Sequence, residues 1–68
     1  MKAKWWLIWY EDMDEDGEVS ERVAGICYGT EDSVVRKCSL LADEENRLHP
    51  ELDIARKTVC RYEPVRAL

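Results

Sequence analysis

The hexapeptide Trp5-Trp6-Leu7-Ile8-Trp9-Tyr10 constrains this chain more than any other stretch. It is short, aromatic-rich and apolar throughout, which suits a pleated strand. In a strand, Ala3, Trp5, Leu7 and Trp9 point to one side, and Trp6, Ile8 and Tyr10 to the other. A strand that is apolar on both sides must be covered on both sides. The chain has 68 residues, and a domain of that size buries only about 60% of the surface its unfolded form exposes. The apolar fraction of 46% is that of a globular domain. At this length, added stability is expected from disulfides, a metal or a partner chain.

Four elements are predicted. Residues 2–12 form a first strand around the hexapeptide. Residues 18–28, EVSERVAGICY, form a second, with Val19, Val23 and Cys27 opposing Ala24, Ile26 and Tyr28. Asp16-Gly17 between them is a two-residue hairpin signal, because a type I′ turn needs positive φ at both positions. That register places Leu7 beside Ile26, Trp9 beside Ala24 and Glu11 beside Arg22, but sets Asp12 against Glu21; a four-residue loop is the alternative.

Thr30 is a candidate N-cap, with Glu31 and Asp32 in the first turn, where the helix dipole favours negative charge. Val34, Val35, Cys38, Leu41, Ala42 and Leu48 recur at helical spacing, and Pro50 limits the end, so the helix is expected over 31–47. Residues 53–63 read as a third strand closed by Pro64, with a short helix over 50–57 as the alternative.

The order ββαβ defines a single α+β domain spanning 1–68. Its three-stranded antiparallel sheet has order 2-1-3, with one helix packed on one face. A right-handed crossover brings strand three parallel to strand two, and the hexapeptide takes the centre.

The chain carries 15 acidic and 10 basic side chains, a net charge of −5. Phosphate contacts need a basic surface, so direct nucleic-acid binding is not expected. Glu11, Asp12, Asp14, Glu15, Asp16, Glu18 and Glu21 form an acidic run, while Arg56, Lys57, Arg61 and Arg66 lie towards the other end. Both read as solvated surface, with steering of a charged partner as the sharper reading. Cys27, Cys38 and Cys60 are odd in number and form no CxxC pair. They read as reduced thiols packed as small apolar groups in a cytoplasmic protein. Lys2 and Lys4 precede an apolar run too short for a signal-peptide core, and no stretch can span a bilayer.

The alternating Asp12, Asp14 and Asp16 followed by Gly17 resemble the start of an EF-hand loop, and Val19 fits its eighth position. The twelfth position, where the bidentate glutamate belongs, is Val23. Strands, not helices, flank the segment, so it reads as a turn and no metal is expected. Zinc would require a fourth ligand beside the three thiols, and His49 is the only histidine. Ser20, Ser33 and Ser39 lack a nucleophile elbow, AGICYG has the wrong spacing for a phosphate loop, and the carboxylates do not converge. No catalytic residue and no cofactor is expected; the chain reads as a non-enzyme.

Surface remains. One helix covers one sheet face. It is expected over Trp5, Leu7, Trp9, Ala24, Ile26 and Tyr28, leaving Trp6, Ile8, Tyr10 and Val23 exposed. Each large side chain left out forfeits about 1.5–3 kcal/mol of burial, so an exposed patch of that kind marks an interface. Trp6, Ile8, Tyr10, Val23, Arg56 and Tyr62 are the candidate partner-binding residues, with homodimerisation the first expected use.

At MKAKWWLIW, in the hairpin and in the HPEL after the helix, the chain resembles the small early accessory proteins of temperate bacteriophages, among them the quorum-sensing anti-activators. These are dimers of similar size that bind and disable a host quorum-sensing transcription activator and a pilus-assembly ATPase. The resemblance implies a protein inhibitor of a host regulator acting in the host bacterial cytoplasm; it carries over no individual binding residue. Anti-CRISPR proteins use similar scaffolds. Two further readings stand beside it: a nucleic-acid mimic using the acidic hairpin and helix face, and a small DNA-binding regulator using the basic third strand.

Overall fold

In the computed structural model, which describes residues 2–52 and 56–66, the hexapeptide lies in β1, Lys4–Met13. Strand β2 is Val19–Gly29, helix α1 is Glu31–Arg47, and strand β3 is Val59–Pro64. Both outer strands pair antiparallel with β1, so the sheet order is β2-β1-β3 with WWLIWY in the centre. The α+β architecture is the expected one. Among the described residues, no helix is long and apolar enough to cross a membrane.

Helix α1 begins as its sequence dictates. The Thr30 hydroxyl accepts from the Ser33 N–H at 3.4 Å, and Glu31 and Asp32 occupy the positive end of the dipole. Val34 and Cys38 are buried, with Leu41 packed against them, whereas Val35 and Leu48 are exposed. The apolar stripe is therefore narrower than expected. At the helix end, the Asn46 side chain donates to the Thr58 carbonyl at 2.9 Å and accepts from the Thr58 N–H at 2.7 Å. That pair anchors the return of the chain into β3. The third strand starts later than the expected residue 53: residues 53–55 lie outside the described residues, and pairing with β1 begins at Val59 opposite Glu11.

The hairpin departs from a two-residue turn. Met13 pairs with Val19, and the Asp14 N–H donates to the Glu18 carbonyl at 3.0 Å. Gly17 sits at φ +84° and its N–H donates to the Asp14 carbonyl at 3.1 Å. The Asp14 carboxylate accepts from the N–H groups of Asp16 and Glu18, at 2.9 and 2.8 Å. Asp14 thus closes the turn with its side chain, a conformation asparagine and aspartate favour.

A bulge alters the register of β2. Ile8 pairs with Gly25 but Trp9 pairs with Val23, so Ala24 is an extra residue without a partner. Gly25 has φ +153°, open essentially to glycine alone. Leu7 still faces Ile26 as expected, but Trp9 faces Val23, Glu11 faces Glu21 and Asp12 faces Ser20. The expected Glu11–Arg22 pair does not form. Instead Arg22 contacts Asp12 at 2.6 Å and Glu45 at 3.0 Å. Because the bulge breaks strict alternation, Ala24 and Cys27 both pack towards the helix, while Val23, Ile26 and Tyr28 are exposed.

The helix covers the face opposite to the expected one. The core is Trp6, Ile8, Val34 and Cys38, flanked by Ala24, Cys27, Leu41, Cys60 and Tyr62. Small side chains (Ala24, Cys27, Cys38 and Cys60) let the helix approach the sheet here. Trp6 is also anchored by its indole N–H, which donates to the Gly29 carbonyl at 2.9 Å.

Candidate protein-binding face

The six residues expected to bind a partner do not share one exposed surface. Trp6 is 4% exposed and Ile8 1%, so both belong to the core. Tyr10 is half-buried beneath the Arg22 guanidinium, 4.8 Å from its ring. Tyr62, also half-buried, meets Trp6 edge-on with ring centroids 5.6 Å apart, and its hydroxyl reaches Glu31 at 3.4 Å. Arg56 is near the hairpin, 3.9 Å from Glu15. Val23 is exposed, but on the opposite side of the sheet from Trp6.

The exposed face is the other side of β1. Its rows follow from the pairing: Trp5 beside Tyr28, Leu7 between Ile26 and Glu63, Trp9 between Val23 and Arg61, and Glu11 between Glu21 and Val59. Trp5 is 52% exposed, Ile26 61%, Tyr28 62% and Val23 73%. Trp5 and Tyr28 touch, with ring centroids 5.3 Å apart at 58°. The Val65 N–H donates to the Trp5 carbonyl at 2.9 Å, and Val65 and Ile26 flank Leu7 in a shallow depression. The result is an uncharged stripe two strands wide: Trp5, Leu7 and Trp9 on β1, and Val23, Ile26 and Tyr28 on β2. A contiguous apolar surface of this kind is what interfaces present.

Charge borders the stripe without entering it. Glu63 and Arg61 flank it on β3, and Glu11 and Glu21 lie at its hairpin end. The like-charged Glu11–Glu21 pair is offset by Arg61, whose guanidinium hydrogen-bonds the Glu11 carboxylate. The Trp9 indole N–H is covered, yet finds no acceptor among the described residues, and an unmatched donor is costly.

The helix side is chemically closed. Arg22 binds the Asp12 carboxylate through two nitrogens, at 2.6 and 3.1 Å, and Thr58 donates its hydroxyl to the same group at 2.6 Å. The Arg22 hydrogen bond holds the Asp12 carboxyl below the usual carboxylate range. Burial pushes the Cys60 thiol up to about 11 and raises that of Cys38, so neither is activated as a nucleophile. All three cysteines are free. In the acidic run, Asp12 is committed to Arg22 and Thr58, and Asp14 to the turn. No group of three or more His, Cys, Asp or Glu among the described residues is arranged to hold a metal ion.

Fold and surface together define a small α+β domain with one helix-covered face and one open apolar face. No protein family, curated protein or solved structure matches the chain.

Part of the stripe was within reach of the sequence. Alternation groups Trp5, Leu7 and Trp9 on one side with Ile26 and Tyr28, as the pairing shows. Strict alternation sets Val23 opposite Ile26 and Ala24 beside it; the bulge at Ala24 reverses both, and the lone Gly25 inside a strand is the usual signal for one.

Proposed function

We propose that this chain is a non-enzymatic protein-binding module whose open sheet face is a protein–protein interface. The observation carrying this reading is the uncharged stripe of Trp5, Leu7, Trp9, Val23, Ile26 and Tyr28 on the side of the sheet that α1 leaves uncovered. Among the described residues the buried apolar core comprises four, so covering that stripe adds substantially to the buried apolar area. Aromatic residues, here two tryptophans and a tyrosine, are enriched where binding energy concentrates.

The resemblance to phage anti-activators extends the reading to biology: the assembled protein binds and inactivates a host regulator, such as a quorum-sensing transcription activator, in the bacterial cytoplasm. A bacterium carrying a reporter driven by such an activator tests it. Expression of the wild-type chain lowers the reporter, and Ile26→Asp, which places a charge in the stripe, restores it. An undiminished reporter at full wild-type expression rejects the inhibitor reading.

A further inference from the structure

We propose that the occupant of the open face is a second copy of this chain. Two copies pack sheet against sheet, with their helices outward and their hairpin tips pointing in opposite directions. The inference rests on the open face being a protein–protein interface and names its partner.

The argument begins with area. The chain exposes 5377 Å², whereas a compact monomer of 8.0 kDa exposes about 4,450 Å². The excess is roughly 900 Å², and one partner of a standard interface covers about 800 Å². Some of the excess belongs to the projecting hairpin, where residues 13–20 are all exposed; on the open face Trp5, Val23, Ile26 and Tyr28, each more than half exposed, contribute to it. Shape agrees. The radius of gyration is 13.2 Å, against about 10.9 Å for a compact chain of this length. The molecule measures 39 × 23 × 15 Å, a slab one helix and one sheet thick. Stacking a second sheet about 10 Å away makes the four-layer arrangement helix, sheet, sheet, helix, whose inner layers form the core the single chain lacks.

Charge then selects the arrangement. A net charge of −5 opposes self-association, and the acidic run lies at the hairpin end of the sheet. A twofold axis perpendicular to the strands sends the two acidic tips to opposite ends of the dimer, while the uncharged stripes meet in the middle. An isologous contact of this kind uses the same patch on both copies and closes.

Sedimentation equilibrium at micromolar concentration tests the state, with the wild type expected at twice the 8.0 kDa chain mass. Ile26→Asp is expected to give monomer, while Leu40→Asp, on the outer side of α1 at an exposed position, leaves the dimer intact. Because a face variant can lose its fold, the wild type supplies a second readout: isotope-filtered NOEs between labelled and unlabelled copies. Intermolecular contacts from the Leu7 and Ile26 methyls support the sheet-to-sheet dimer. A folded wild-type monomer, or intermolecular contacts confined to the outer edge of β2 or to α1, overturns it. A monomer whose reporter inhibition is still lost in Ile26→Asp sinks this inference alone. A monomer without face-dependent inhibition sinks the underlying reading too.

Discussion

Trp6, Ile8 and Tyr10 on one side of β1 match Trp5, Leu7 and Trp9 on the other in number and nearly in volume, yet Trp6 and Ile8 are buried in the core beneath the helix, whereas on the other side Trp5 is exposed and Leu7 and Trp9 are only half-buried. Their neighbours account for the difference. On the first side the small Ala24, Gly25, Cys27 and Cys60 leave room for the helix, with Tyr62 opposite Ile8 packing edge-on against Trp6. Beside the second stand Val23, Ile26 and Tyr28, which would hold a helix away. Hydrophobicity alone did not choose the buried face; the space left by adjacent strands did, because interiors are close-packed.

The largest expected effect tests this contrast directly. Ile8→Ala removes a side chain 1% exposed and is expected to cost about 2–5 kcal/mol in urea unfolding. Leu7→Ala, its neighbour on the open face, is expected to cost under about 1 kcal/mol at concentrations low enough to keep the chain monomeric. The reverse ranking would mean that the helix sits on the other face.

Gly25→Ala sharpens the comparison by attacking the bulge that sorts β2 residues between the faces. Nothing lies within 4 Å of an added Cβ, so the expected loss of about 1–2 kcal/mol arises from the φ of +153° alone. A neutral result in thermal unfolding would show that β2 does without the bulge.

The smallest effect concerns the polar border of the helix-covered face. Asp12→Asn weakens the contacts to Arg22 and Thr58 and is expected to cost about 1 kcal/mol at neutral pH. The Asp12 carboxyl is lowered from its ordinary value of 3.8. Its contribution is therefore fully present above pH 3.8 and disappears as pH falls below that value through the lowered one. Between those limits the variant's stability should depend less steeply on pH than the wild type's. Parallel acid-unfolding curves would remove Asp12 from the account.

Local chemistry made much of the fold legible. The Thr30 cap, the acidic first turn and Pro50 bounded α1 at 31–47, as observed. The doubly apolar hexapeptide called for the central strand, and it lies there. Less legible was whatever depends on residues distant in sequence. The hairpin turn is longer than Asp16-Gly17 implies, because the extra residue at Ala24, ten residues from Asp14, shifts the pairing of Trp9 to Met13 by one while Lys4 to Ile8 keep the expected register. Trp6 and Ile8 read as interface residues only if the helix takes the other face, and it packs on theirs.

By itself, then, the sequence determined the order of elements, the central position of WWLIWY and the shortage of cover for it. These follow from periodicity, capping and chain length, each readable within a few neighbouring residues. Only the tertiary structure decided which half of the hexapeptide lies beneath the helix and which faces outward. That choice turns on the extra residue at Ala24 and the small side chains it aligns with Cys27, Cys38 and Cys60, a fit that exists only once three strands and a helix have met.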